Sequence, residues 1–205
     1  MRLLASALAV LGAAASLSAA RTEQVSGAAI MATSAPATLS AFGFFGRDAA
    51  HPASDLIPYK LNTPLFSDYS EKQRFIYLPQ TGALRAEEGD GRIIFPVGTA
   101  IVKSFGYPSA TGALKVIETR VLLHQAAGWV ALPYVWRADG KDADLRVGGT
   151  RIAAHFKTPS GVEQDINYGV PNKNQCKQCH LAAGDRKSTR LNSSHRNTSR
   201  MPSSA

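Results

Sequence analysis

Residues 115–123 alternate between apolar and polar side chains, and this two-residue period is the strongest constraint on the fold. Successive side chains of a β-strand point to opposite faces of its sheet, so the period predicts a strand here. Glu118 and Arg120 fall on one face of that strand. The opposite face carries Ile117, Thr119, Val121 and Leu123.

Several other short segments have the composition of strands and are bounded by turn residues. They are residues 74–78, 92–95, 99–105, 129–136 and 145–152. In the last segment, Gly148 and Gly149 can supply the positive φ angles of a two-residue hairpin turn. About seven or eight short strands without a long helical period predict an antiparallel β-sandwich or barrel. We expect this β domain to span residues 39–168.

The chain has two cysteines, which stand three residues apart, and a histidine follows the second directly. This Cys176-x-x-Cys179-His180 arrangement is the attachment signature of c-type haem. On a helix, positions i, i+3 and i+4 share one face. Both thiols can therefore form thioether bonds to one porphyrin while the imidazole binds its iron from the same side. Asn172 and Gln175 match a capping box, which would start this helix.

Other interpretations of the cysteine pair need features that the sequence does not indicate. A tetrahedral zinc site takes four ligands, and the chain has no second cysteine pair. A thioredoxin-like redox pair follows a strand in an α/β pattern, which this chain does not show. A structural disulfide between Cys176 and Cys179 would be strained and would close almost no loop. The motif thus predicts haem c, with its iron, as the cofactor and His180 as the proximal iron ligand.

The first twenty residues have the organisation of a secretory signal peptide. Arg2 provides a positive start, residues 3–17 are apolar, and small residues follow up to Ala20. We expect cleavage after Ala20 and a periplasmic location, which suits haem attachment because that reaction takes place outside the bacterial cytoplasm. The apolar run is too short for a good membrane span. Residues 21–38 are small and polar, and we expect a flexible N-terminus there.

Half of the net charge of +8 comes from the C-terminal end of the chain. Residues 187–205 contain four basic residues and no acidic residue. Of 23 basic and 15 acidic residues in all, 18 and 15 remain in residues 21–186, which argues against nucleic acid as a partner. The Ser-, Arg- and Asn-rich composition of 187–205 predicts a disordered tail. We expect this tail to be foreign, replacing the rest of a cytochrome domain that starts with residues 169–186.

Four stretches follow one another in order between residues 39 and 184: 56–79, 95–108, 116–145 and 170–180. Together they resemble a family of secreted bacterial proteins that join a β-rich N-terminal domain to a C-terminal c-type cytochrome. A similar module occurs beside sorbosone-dehydrogenase-like β-propellers. The resemblance implies haem c binding and electron transfer, with Cys176 and Cys179 as thioether residues and His180 on the iron. Family members continue past this helix into a domain that supplies a distal ligand, usually methionine.

No residue of this chain stands out as a distal iron ligand. Met201 and His195 lie in the predicted tail. A single histidine in a β domain is more often held by local hydrogen bonds, which is what we expect of His51, His124 and His155. We therefore predict that attached haem is largely high-spin or weakly ligated.

Enzyme motifs such as G-x-S-x-G, H-E-x-x-H or a glycine-rich phosphate loop do not occur in the sequence. Asp68 and Glu71 could be imagined as an acid/base pair. Because Lys72 and Arg74 stand beside them, an ion-paired and capped turn is the favoured interpretation. The aromatic residues predicted to lie in the sandwich core, rather than on a sugar-binding surface, are Phe105, Trp129, Tyr134 and Trp136.

The sequence therefore predicts periplasmic electron transfer through covalently attached haem. The expected partner is a periplasmic redox protein, either a dehydrogenase or a respiratory-chain cytochrome. One alternative is a β-sandwich module that binds a carbohydrate or a protein and has lost its haem domain. Another is a haem enzyme with an open iron site, such as a small peroxidase.

Overall fold

A computed structural model of the chain describes residues 24–62, 65–86, 93–109 and 111–180. The predicted signal peptide and the predicted tail lie outside these ranges. The strands are β1 (Ile57–Pro58), β2 (Glu71–Tyr77), β3 (Arg85–Ala86), β4 (Ile93–Ile94), β5 (Ala100–Pro108), β6 (Leu114–Gln125), β7 (Gly128–Trp136), β8 (Ala143–Leu145), β9 (Thr150–Lys157) and β10 (Glu163–Val170). The helices are α1 (Gly27–Met31), a 3₁₀ turn (Leu39–Phe42) and α2 (Lys173–His180). Within the described ranges, no helix is long and apolar enough to cross a membrane.

Six strands form one antiparallel sheet in the order β1-β2-β5-β6-β7-β8. The alternating segment 115–123 lies in β6, which pairs with β5 on one side and β7 on the other. Strands β9 and β10 form a separate antiparallel hairpin, and β3 and β4 form a short second one. The prediction of a mainly β, antiparallel fold is confirmed.

One face of the large sheet packs against the N-terminal part of the chain. Val102, Val121 and Leu132, on three neighbouring strands, belong to the largest apolar cluster of the described residues. Phe42 and Phe44 cover this cluster, with their rings stacked at a centroid distance of 4.9 Å. This face forms the main core of the protein because apolar side chains of β5, β6 and β7 all point into it.

Residues 24–38 contribute Val25 and Ile30 to this core, so the expectation of a flexible segment over 21–38 is wrong for the part around α1. The side chain of Ile30 in α1 is fully buried. The amide Nε2 of Gln125 donates hydrogen bonds to the carbonyl oxygens of Ile30 (2.8 Å) and Ala32 (2.9 Å). A few apolar residues in a small, polar segment are enough to anchor it, because the sheet face beneath must be covered.

The opposite face of the sheet carries two smaller apolar clusters. The first contains Cys176 of α2, Phe95 of the segment after β4, and five residues of the sheet: Ile76, Ile101, Leu122, Trp129 and Ala131. The second joins the sheet to the β9–β10 hairpin: Phe105, Tyr107, Ile117, Phe156, Tyr168 and Val170. Both α2 and the hairpin therefore pack on the same side of the sheet.

The predicted hairpin over residues 145–152 does not form. Strand β8 pairs with β7, whereas β9 pairs with β10, so the glycine turn joins two different sheets. Gly149 has a φ of 73°, and a Cβ atom added there would lie 2.6 Å from the carbonyl oxygen of Val170. Glycine is required at this position because the backbone is left-handed and passes close to the end of β10.

Candidate functional site

Helix α2 starts at the cap that the sequence predicts. The Oδ1 atom of Asn172 accepts hydrogen bonds from the backbone N–H groups of Asn174 (3.0 Å) and Gln175 (2.9 Å). In return, the Oε1 atom of Gln175 accepts the backbone N–H of Asn172 at 2.9 Å. These reciprocal bonds satisfy donors that the first turn of a helix leaves without partners. The capping-box prediction is confirmed.

The three motif residues, Cys176, Cys179 and His180, all lie in the continuous helix α2. Their i, i+3 and i+4 spacing places their backbone positions on one side of that helix. The backbone N–H of Lys173 donates to the carbonyl oxygen of Val147 at 3.0 Å. This bond ties the start of α2 to the turn between β8 and β9.

Cys176 is buried against the apolar part of the sheet. Only 6% of its surface is exposed, and it belongs to the cluster that includes Leu122, Trp129 and Ala131. The indole ring of Trp129 also stacks on the ring of His124, with a centroid distance of 4.6 Å. The helix therefore holds its first cysteine against a largely apolar surface.

A cleft of about 670 Å³ lies between the start of α2 and the base of the β9–β10 hairpin. Its volume falls within the ~300–1,000 Å³ typical of small-molecule sites. The cleft is lined by Arg120, Gly148, Gly149, Thr150, Arg151, Gly169, Val170, Pro171, Gln175 and Cys176. Cys176 thus lies at the edge of a cavity whose other walls carry two guanidinium groups.

Arg120 is held in this wall by a buried polar cluster. Its Nε and Nη2 atoms donate to the two carboxylate oxygens of Glu118 at 2.6 and 2.9 Å. The hydroxyl of Tyr168, on β10, donates to the same carboxylate at 2.6 Å. Burial lowers the pKa of Arg120, but the hydrogen bonds and the charge of Glu118 outweigh burial and raise it. Burial and the Glu118 carboxylate both raise the pKa of Tyr168, so its hydroxyl stays protonated.

Arg120 is also the last member of a line of three cations across the sheet. Arg74 of β2 is the cross-strand partner of Lys103 in β5, and Lys103 is the partner of Arg120 in β6. We call Arg74, Lys103 and Arg120 the basic row. Its side chains lie on the same face of the sheet as α2, because directly opposed residues of paired strands share one face.

The three histidines of the β domain make local contacts, as predicted. The Nδ1 atom of His124 lies 3.1 Å from the carbonyl oxygen of Pro96. His51 and His155 instead bind acidic side chains close to them in the fold. None of the three lines the cleft beside Cys176.

The side chains of Cys179 and His180 lie outside the described part of the structure, as do Met201 and His195. Among the side chains that are described, no group of three or more His, Cys, Asp or Glu residues is placed to hold a metal ion. The haem prediction therefore depends on the motif, on α2 and on the surroundings of Cys176.

The predicted ion-paired turn around Asp68 and Glu71 is wrong. Among the described residues, neither Lys72 nor Arg74 forms an ion pair with them, and Lys72 Nζ donates instead to the carbonyl oxygen of Leu65 at 2.6 Å. Strand β2 begins at Glu71. Lys72 and Arg74 therefore lie on the face of β2 that is opposite to Phe75, a residue of the main core.

Comparisons with models of protein families, with curated proteins and with solved structures found no match to this chain. The likeness to β-rich cytochrome proteins stays a prediction from the sequence, and the function has to be argued from the residues themselves. The buried cluster of Glu118, Arg120 and Tyr168 was not predicted as part of a site. Its one sequence signal was the pair of opposite charges on a single face of β6.

Proposed function

We propose that the protein transfers electrons in the periplasm through a haem group attached covalently to Cys176 and Cys179. The observation that carries the proposal is the position of α2. The helix holds the whole C-x-x-C-H motif in one continuous element, and its Cys176 borders a cleft of about 670 Å³.

The residues around the cleft suit a haem group. A porphyrin is a largely apolar disc with two carboxylate groups on one edge, so its site must offer both apolar and cationic surface. Val170 and Pro171 provide apolar surface in the cleft beside Cys176. Leu122, Trp129 and Ala131 are instead buried in the core against which Cys176 packs. Arg120 and Arg151 provide cationic groups in the cleft wall. These features support the proposal because they line the same cleft as Cys176.

Each residue of the motif has a separate task in this proposal. Cys176 and Cys179 hold the porphyrin through thioether bonds, and His180 holds the iron as its proximal ligand. The bound haem supplies one-electron iron chemistry. The capping box formed by Asn172 and Gln175 fixes where α2 begins, and so fixes the position of Cys176 against the sheet. The expected electron partner is a periplasmic dehydrogenase or a respiratory-chain cytochrome.

The test is covalent haem on the full chain after export. The chain is produced in a bacterial host that matures c-type cytochromes, and the periplasmic fraction is examined by haem staining after denaturing electrophoresis. We expect a haem-stained band for the wild type and none for the Cys176→Ala/Cys179→Ala double variant. Lys177→Ala and Gln178→Ala are matched controls, because they change residues between the cysteines and leave the motif intact.

If the wild-type protein is exported and folded but carries no covalent haem, the proposal is wrong. The β-sandwich module that binds a carbohydrate or a protein is then the better candidate. The cleft argues against a carbohydrate in that role, because none of the residues lining it is aromatic. Trp129, Tyr134 and Phe105 are buried, as predicted for core residues. If the holoprotein turns over peroxide faster than free haem does, the open-site enzyme is the better description.

A further inference from the structure

The basic row is an unusual arrangement for the middle of a sheet. Arg74, Lys103 and Arg120 stand directly opposite one another on β2, β5 and β6. Like charges on directly opposed residues destabilise a sheet. A fourth cation, Lys72, stands two positions before Arg74 in β2 and so on the same face. The row therefore concentrates positive charge in a place where folding alone does not favour it.

Arg74 is nearly buried, and one of its donor atoms lacks an acceptor among the described residues. Only 8% of its surface is exposed, and its Nη2 atom is buried without a hydrogen-bond partner among the described residues. A buried donor without an acceptor costs about 1–3 kcal/mol, and more when it is charged. This guanidinium fits a site whose acceptor comes from a bound group.

Lys103, the next member of the row, is half-buried beside an aromatic ring. Its Nζ atom lies 4.7 Å from the centroid of the Phe105 ring, and among the described residues it forms no ion pair. Burial, followed by the charges of Arg120, Arg74 and Lys72, lowers its pKa to about 8. The charge of Glu118 opposes this lowering of the pKa of Lys103 but does not outweigh it.

Glu118 compensates only part of the positive charge of the row. Both of its carboxylate oxygens are engaged, one by Arg120 and the other by Arg120 and Tyr168. Its charge is thus matched by one guanidinium, and two cations of the row remain. The ring of Phe105 separates the row from the rest of the hairpin cluster, with Arg120 Cζ 4.1 Å from its centroid.

We propose that Arg74 and Lys103, with Arg120 at the end of the row beside the cleft, form a binding site for a carboxylate group. A guanidinium and an ammonium side by side offer several N–H donors and two positive charges, which a carboxylate accepts through both oxygens. The same chemistry has two sources: a carboxylate of a haem held on α2, or a free small carboxylate. The site itself does not require that haem is attached.

The first arm uses the full chain with Cys176→Ala/Cys179→Ala, which carries no covalent haem. Its thermal unfolding is followed in millimolar malonate and in sodium chloride of the same ionic strength. We expect malonate to raise the midpoint by roughly 2–4 °C more than chloride does. This additional rise of the unfolding midpoint in malonate should disappear in the Lys103→Met variant and in the Arg74→Gln variant, each made separately. It should survive in Lys115→Met, the matched control on an exposed lysine of β6.

The second arm identifies the source in wild-type chain that carries covalent haem. If a haem carboxylate occupies the row, malonate raises the unfolding midpoint more than chloride does in the haem-free chain but not in the chain that carries haem. If the ligand is a free carboxylate, the excess is the same in both forms. The proposal is overturned if malonate gives no excess over chloride in the haem-free chain, or if Lys115→Met abolishes the excess as Lys103→Met does. If haem does not attach to the wild-type chain, the proposed electron transfer fails, but the experiment on the haem-free chain still tests the carboxylate site.

Discussion

The guanidinium of Arg120 donates two hydrogen bonds, of 2.6 and 2.9 Å, to the fully buried carboxylate of Glu118. The hydroxyl of Tyr168 completes this cluster from the other side at 2.6 Å. Because Tyr168 belongs to β10, the cluster connects the large sheet to the hairpin that forms one wall of the cleft. The charge of Glu118 is tolerated in the interior since donors satisfy both of its oxygens.

Replacing Glu118 with glutamine should destabilise the fold by about 3 kcal/mol, because Arg120 would lose its counter-charge in a buried place. Chemical denaturation measures the change. Glu163→Gln is the matched control, since Glu163 is exposed on the hairpin and its pairs should contribute less than about 1 kcal/mol. Equal stability of the two variants would contradict the role assigned to Glu118.

Replacing Lys103 with methionine should stabilise the protein by about 1–3 kcal/mol near pH 7 in buffers without carboxylates. The lowered pKa of Lys103, about 8, means that the folded chain releases this proton before the unfolded chain does. Below about pH 8 both states hold the proton, so the penalty for burying the charge is constant. Between about pH 8 and the ordinary lysine pKa of ~10.4, only the unfolded state holds it, and stability rises with pH.

The measurement is the free energy of unfolding of wild type and Lys103→Met at about pH 7 and about pH 9.5. The advantage of the variant should shrink at the higher pH, since the wild type has by then lost its buried charge. Lys115→Met should show no such convergence because Lys115 is exposed. A difference between wild type and Lys103→Met that is constant with pH would refute the prediction.

Replacing Asn172 with alanine should weaken the start of α2 by about 1 kcal/mol, because two backbone donors lose their acceptor. Hydrogen exchange of the α2 amides should speed up accordingly. Asn172→Ser should restore most of the protection, since serine is also a good N-cap. Asn174→Ala is the control. If the α2 amides exchange as fast in Asn174→Ala as in Asn172→Ala, the capping role of Asn172 is contradicted.

Replacing Gly149 with alanine should destabilise the protein by about 2–4 kcal/mol. The added Cβ would meet the carbonyl oxygen of Val170 at 2.6 Å, in a residue whose φ is 73°. Gly148→Ala is a sharp control, because nothing lies within 4 Å of its added Cβ. Thermal unfolding of the two variants distinguishes the positions, and similar midpoints would disprove the close approach to β10.

Local sequence patterns predicted those parts of the structure that depend on a few neighbouring residues. The predicted period holds over residues 118–123 of β6, but a bulge at Ile117 places that side chain in the hairpin cluster on the other face, so its predicted face is wrong. The cap of α2 forms between Asn172 and Gln175, which are three residues apart. Such features can be recognised from the sequence because their hydrogen bonds, or their side-chain period, close within one turn or one strand.

The predictions from the sequence were wrong where a segment pairs or packs with a part of the chain that is far away in sequence. The glycine turn at 148–149 exists, but β9 pairs with β10 and not with β8. A turn sequence fixes local backbone angles, whereas burial of whole faces selects the partner strand. The N-terminal segment was misjudged for the same reason, since Ile30 finds its place only once the sheet face exists.

By itself, the sequence determined the strand character of the chain, the Cys176-x-x-Cys179-His180 motif and the helix that carries it. Only the tertiary structure brought Arg74, Lys103 and Arg120 into one row and placed its last member in the cleft beside Cys176. The physical reason is register: side chains on three separate strands become neighbours only when backbone pairing sets the strands in one alignment.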